Sequence, residues 1–311
     1  MSSGNHQPKT KQPGLALGPV LYYWSREMLL GFYAHLPHSR LATVYLGEVV
    51  CGRRHGMRPE DWLGLARDLA RTGLEVVLST QALIETDLDL RAMQRIAENG
   101  EFLVEANDMG AVRRLAGRVP GVSFVAGPHL NVYNNDTLAW LAELGASRWV
   151  MPVELGSEAL ARLHQRRPAG METEVFAYGR LPLAFSARCF TARHYNLPKD
   201  DCQYRCLDHP DGQLLATREG QAFLALNGIQ TQSAQVYDLG NAIPRLRELG
   251  VDRLRLSPQS AHMNEVIEAY HGALDGGLSE GELETALAPI RLTPPCDGYW
   301  HGKPGIEHLT A

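Results

Sequence analysis

Residues 42–79 read ATVYLGEVVCGRRHGMRPEDWLGLARDLARTGLEVVLS. The runs Ala42 to Leu46 and Glu75 to Ser79 are short, mostly aliphatic and β-branched, and stop at glycine or polar residues, as buried strands do. Between them, Pro59 to Arg71 places apolar residues at helical spacing and opens on acidic residues, which suit the positive end of a helix. Strand, helix and strand in that order form one parallel βα unit.

The same alternation extends in both directions. Strands are predicted at Ala16 to Val20, Phe102 to Glu105, Val122 to Ala126, Arg148 to Val153, Glu174 to Tyr178 and Arg253 to Leu256. Helical patterns occupy Gln81 to Asn99, Asp108 to Ala116, Asn135 to Leu144, Ser157 to Gln165, Leu239 to Gly250, Ser260 to Gly272 and Glu280 to Ala288. About eight strands alternating with helices predict an α/β fold, a (β/α)8 TIM-barrel-like domain. A doubly wound open sheet is the alternative, but no glycine-rich dinucleotide fingerprint follows the first strand.

The period breaks between Arg180 and Gly240, which reads as a cysteine-bearing insertion late in the barrel. Within it, Gln213 to Gln232 has two apolar runs around Arg218-Glu219-Gly220 and predicts a hairpin. Residues 1–14 (MSSGNHQPKTKQPG) read as a disordered tail, and 15–311 as a single barrel-like domain with its insertion at about 180–240.

The chain has 311 residues, 30 of them Lys or Arg and 35 Asp or Glu, giving a net charge of −5. That balance argues against holding nucleic acid by bulk electrostatics, and no nucleic-acid partner is expected. No apolar stretch is long enough for a membrane span, and the N-terminal residues lack the apolar core of a signal peptide. The expected location is cytoplasmic. A reducing cytosol opposes a disulfide framework, so the five cysteines need another explanation.

Cys189, Cys202 and Cys206 form a C-x12-C-x3-C pattern in a polar loop, SARCFTARHYNLPKDDCQYRC. Thiols gathered near a surface are an oxidation hazard unless ligated. Structural zinc prefers paired knuckles, whereas iron–sulfur clusters accept scattered thiolates, four in total. Arg188, Arg193 and Arg205 can offset the thiolate charge, and His194 is a substitute ligand. The fourth thiol is Cys51 or Cys296. Cys51 leaves the carboxyl end of a strand, on the rim where barrel sites are built, which favours it; Cys296 lies in the C-terminal tail.

The segments YLGE (45–48), ENGEFLVEAND (98–108), FVAGPHLNVYN (124–134), LPLAFSARCFTAR (181–193), PKDDC (198–202), LNGIQT (226–231) and RLSPQ (255–259) resemble the collagenase-like peptidase family, in particular its ubiquinone-biosynthesis branch. The likeness runs from about Gly18 to Trp300. It implies a barrel-like fold and a 4Fe-4S cluster on Cys51, Cys189, Cys202 and Cys206. It further implies a heterodimer with a UbiU-like paralogue and a UbiT-like lipid-binding protein as third partner. The implied activity is oxygen-independent hydroxylation of the aromatic ring of a ubiquinone precursor in anaerobic ubiquinone biosynthesis, with prephenate as oxygen donor. Some relatives hydroxylate RNA bases, which makes an RNA-modifying protein one alternative; a zinc-braced interaction protein is another. No H-E-x-x-H or G-x-S-x-G motif supports peptidase chemistry.

Other rim candidates follow predicted strands. Glu48, Glu105, Asp108 and Glu154 can bind substrate or handle protons, with helix capping the competing role for Asp108. His129, Asn131 and Tyr133 form a polar strip suited to a pocket wall. None of these acquires a catalytic role from sequence.

Overall fold

The computed structural model describes residues 12–36, 39–116 and 123–309; residues 1–11, the bulk of the expected tail, lie outside the described residues. The chain runs β1 (Gly14–Leu17), α1 (Arg26–Ala34), β2 (Thr43–Leu46), α2 (Pro59–Ala70), β3 (Glu75–Ser79), α3 (Asp87–Ala97), β4 (Leu103–Ala106), α4 (Met109–Ala116), β5 (Phe124–Ala126), α5 (Asn135–Glu143), β6 (Ala146–Val150), α6 (Ser157–His164) and β7 (Glu172–Gly179). Then come β8 (Pro182–Phe185), α7 (Phe190–His194), β9 (Gln213–Ala216), β10 (Ala222–Asn227), β11 (Gln230–Ser233), β12 (Val236–Asp238) and α8 (Ile243–Glu248). The chain closes with β13 (Arg253–Leu256), α9 (Met263–Leu274), α10 (Glu280–Leu287) and β14 (Pro295–Cys296).

Strands β1 to β7 pair in sequence order, each parallel to the next, and β13 pairs in parallel with both β7 and β1. The sheet therefore closes on itself as an eight-stranded parallel barrel with helices outside, the expected TIM-barrel fold. Successive side chains alternate faces. Leu15, Val44, Val76 and Phe124 face the helical shell, while Ala16, Tyr45, Val77, Val125 and Val150 meet inside the barrel.

The barrel interior also carries charge. Arg148 Nη2 lies 2.9 Å from Glu75 and 2.8 Å from Glu172, and its Nη1 donates to the Tyr45 hydroxyl at 3.1 Å. One layer up, Arg255 donates to Glu174 at 2.5 Å and to Glu105 at 2.7 Å, its guanidinium 4.1 Å above the Tyr45 ring. A register slip by one residue would turn these charges into the aliphatic shell, so the network specifies the pairing.

Four features differ from the sequence reading, the first being two unpredicted short strands: β12, antiparallel to β7, and β14, parallel to β12. Helix α1 follows β1, where no helix was predicted; only Leu29 and Tyr33 are buried on it, too sparse a stripe to stand out. Helix α3 begins at Asp87 rather than Gln81, because Thr86 and Asp89 form a reciprocal capping box there. The predicted hairpin is present as β9 and β10, but β10 turns again into β11, and β11 pairs with β8. The insertion is thus a four-stranded antiparallel sheet with α7 at its side. Among the described residues no helix is long and apolar enough to cross a membrane.

Candidate metal centre at the barrel rim

Gly47 ends β2 with φ 140°, and a Cβ there would stand 2.4 Å from the Ser79 carbonyl oxygen, so only glycine lets the chain turn this close to β3. The turn delivers Glu48, whose Oε1 accepts the backbone N–H groups of Val50 at 2.9 Å and Cys51 at 3.0 Å. Cys51 is thereby held at the carboxyl end of the barrel.

Cys189 comes from the insertion. Its sulfur caps α7, accepting from the Ala192 N–H at 3.4 Å. Helix α7 is in turn fixed to the β10–β11 turn by Phe190 N–H to Gly228 O (2.8 Å) and Gly228 N–H to Thr191 Oγ1 (3.0 Å). Cys202 and Cys206 flank Gln203 and Tyr204, which adopt left-handed φ of 49° and 52° in succession. Two adjacent non-glycine residues in that region cost ~1–3 kcal/mol each, and such strain concentrates at functional loops. Arg53 donates to the Asp200 carboxylate at 3.0 Å, and Lys199 binds Glu85 and the Ala187 carbonyl; both ties draw this loop against the β2 and β3 exits.

The four thiols meet on one patch. Cys51 and Cys189 pack with Leu21, Val49, Val50 and Ile229, and Cys51 feels the charge of Cys189. Cys206 feels that of both Cys189 and Cys202. Burial pushes the Cys51 thiol up to about 11, against the pull of Arg54 and of the Arg53 backbone N–H. It raises Cys206 as well, again opposed by Arg54. All four are free and partly exposed. Cys296 is elsewhere: fully buried on β14 beside Asp297 and Asp238, its thiol pushed up to about 12 by burial.

The cation that serves these sulfurs is Arg54, which sequence reasoning passed over. It is 4% exposed and acts on both Cys51 and Cys206. Its Nη1 donates to the Leu21 carbonyl at 2.7 Å and lies 3.4 Å from Glu48, while Nη2 donates to Asn227 Oδ1 at 2.7 Å. It thus ties the β1 exit, the β2 exit and the insertion together. Its signal was its place three residues after Cys51. Arg188, Arg193 and Arg205, expected in that role, are exposed, and Arg205 stacks over Tyr195 and pairs with Asp208. His194 is also exposed and packs edge-on to Tyr195.

Four thiols are a donor set of the kind an iron–sulfur cluster would take. Among the described residues no three His, Cys, Asp or Glu side chains form a group that could hold a metal ion as they stand. Cys206 feels Cys189 and Cys202, Cys51 feels Cys189, and N–H groups are directed at Cys51 and Cys189. Hydrogen bonds of that kind tune cluster sulfurs.

The remaining rim candidates divide. Glu105 is buried in the Arg255 ion pair, and Asp108 caps α4 through the Gly110 N–H at 2.6 Å. Glu48 braces the Cys51 turn. His129, Asn131, Tyr133 and Glu154 do line a cavity of about 260 Å³ with Phe185, and Tyr133 donates to Glu154. The His129 ring packs edge-on to Phe185, and burial, helped by Arg255, lowers its pKa to about 3, so it is neutral.

The chain belongs to peptidase family U32, whose family model matches residues 34–310. Among curated relatives, tRNA hydroxylation protein P of Escherichia coli is 25% identical over 117 residues, 38% of this chain and 25% of that protein. The protein of the same name from Haemophilus influenzae is 25% identical over 166 residues, 53% of this chain and 35% of that protein. The matches thus span a quarter to a third of those relatives' length. Among solved structures, the U32 peptidase Mk0906 is 12% identical, with a TM-score of 0.43 over 83% of this chain and 98% of its own.

Proposed function

We propose that this chain is the UbiV-like, 4Fe-4S-binding subunit of an oxygen-independent ring hydroxylase acting on ubiquinone precursors in the cytoplasm. Its partners are a UbiU-like paralogue, in a heterodimer, and a UbiT-like lipid-binding protein, with prephenate as oxygen donor. What supports the reading is that free Cys51 and Cys189, from two distant segments, pack on one apolar cluster while buried Arg54 acts on Cys51 and Cys206.

Cys51, Cys189, Cys202 and Cys206 would hold the cluster, which when bound supplies one-electron chemistry. Arg54 offsets the thiolate charge and holds the two segments together. The Arg53 and Ala192 N–H groups hydrogen-bond the sulfurs of Cys51 and Cys189. Leu21, Val49 and Ile229 keep water from the inner side of the patch.

Anaerobic purification tests the reading. A brown protein with about four iron and four sulfide per chain, bleaching on reduction, supports it. A colourless protein with stoichiometric zinc makes it a zinc-braced interaction protein instead.

The relatives named tRNA hydroxylation protein P favour a second reading, RNA hydroxylation by the same thiol patch. The net charge of −5 weighs against it. RNA that copurifies and resists high salt would decide for it.

A further inference from the structure

We propose that the cavity between α2 and α3, behind the Cys51 loop, binds a neutral, ring-sized apolar molecule bearing a hydroxyl group. The cavity measures about 480 Å³, the size of a ligand site rather than a packing defect. Its apolar wall is made by Met57, Trp62, Met93 and Ile96, all buried core residues, with Leu88, 66% exposed, at its open side.

Its polar wall is unfinished. Gln81 is 8% exposed and its Oε1 has no hydrogen-bond partner; Arg54 is 4% exposed and its Nε has none. Both residues line the cavity. A buried polar atom left this way is costly unless something completes it. A hydroxyl both donates and accepts, so it suits the Gln81 amide in either orientation. The buried charged groups of the wall are already engaged, while His55 and Arg58 at its edge are exposed. Arg54 faces Glu48 at 3.4 Å, and Asp89 Oδ2 accepts from the Glu85 and Thr86 N–H groups. A neutral ligand therefore fits better than an ion.

The cavity and the thiol patch share a wall. Gly52 follows Cys51 and lines the cavity, and a Cβ on it would sit 1.7 Å from Asp89 Oδ1. A ring bound here lies directly behind the Cys51 turn, with Arg54 touching both sites. That this ring is the hydroxylase's substrate rests on the function proposed above; that the cavity binds such a ring does not.

Calorimetric titration of the full chain with 4-ethylphenol, ethylbenzene and 4-ethylbenzoate tests it, with iron measured on the same preparation. 4-Ethylphenol is expected to bind about tenfold tighter than ethylbenzene, the factor one completed hydrogen bond supplies, and tighter than the anion. Gln81→Leu should reduce 4-ethylphenol to the ethylbenzene level, and Ala92→Phe, which fills the cavity, should abolish binding. Because either variant can misfold, a crystal of the unaltered chain soaked in 4-ethylphenol locates the ring independently. No heat with 4-ethylphenol, or density only outside this cavity, overturns the proposal. Iron-bearing protein that fails to bind sinks the cavity alone, and colourless protein that binds sinks the cluster alone.

Discussion

Arg54 donates to Asn227 Oδ1 at 2.7 Å, joining the loop after the second barrel strand to an inserted strand 173 residues later. Asn227 completes the clasp by donating to the Leu21 carbonyl at 2.8 Å. Arg54→Met removes the cation and leaves Glu48, Asn227 and that carbonyl short of a donor. Unfolding stability is expected to drop by about 2–4 kcal/mol. Reconstituted protein should also lose iron faster to a chelator; unchanged iron retention would separate Arg54 from the thiols.

Cys51 and Cys296 make opposite predictions. Cys51→Ala should cost little stability, since the residue is partly exposed, but should abolish the full iron complement. Cys296→Ala opens space in a fully buried site and is expected to destabilise by about 1–2 kcal/mol with iron unchanged. Iron analysis and chemical denaturation of both variants check this together.

Inside the barrel, Arg255 pairs with Glu105 and Glu174, neither more than 1% exposed, and Arg148 lies 4.0 Å from Glu174 as a second, more distant cation. Arg255→Met should destabilise by about 3–5 kcal/mol, because it strands buried Glu105 and leaves Glu174 with only the more distant Arg148 and the Tyr45 hydroxyl. Adding Glu105→Gln and Glu174→Gln should recover part of that loss. A triple variant no more stable than the single one would show that packing, not charge, set the cost.

His129 sets a pH dependence. Its pKa falls to about 3 in the folded chain against about 6.5 when unfolded, so the unfolded state takes up the proton first. Stability is therefore fully present above pH ~6.5 and is lost as pH falls from there toward 3. The expected loss between pH ~7 and ~5 is about 1–2 kcal/mol, allowing for the ring's partial exposure. His164, also lowered by burial, adds in the same direction. His129→Asn should flatten the curve relative to the unaltered chain, measured as unfolding free energy across that range.

The barrel was legible because each strand is short, aliphatic and bounded, and all eight predicted strands have a counterpart in the sheet. Their closure could be anticipated from their number and the helices between them. The interior charge could not: Glu75, Arg148, Glu172 and Arg253 read as strand-end polars until register brought them together. Spacing singled out three of the thiols, and the rim argument for Cys51 agrees with its packing near Cys189. Arg54 offered only its nearness to Cys51, and Gln81 offered nothing, because a lone glutamine in a loop has no pattern. The importance of Arg54 comes from burial against the insertion through Asn227.

The same insertion, entered after β7 and left before β13, hangs on the barrel through bonds such as Arg54 to Asn227. Any group held by all four sulfurs would therefore act as a cross-link between the β2 exit and the insertion, and its loss would loosen one from the other.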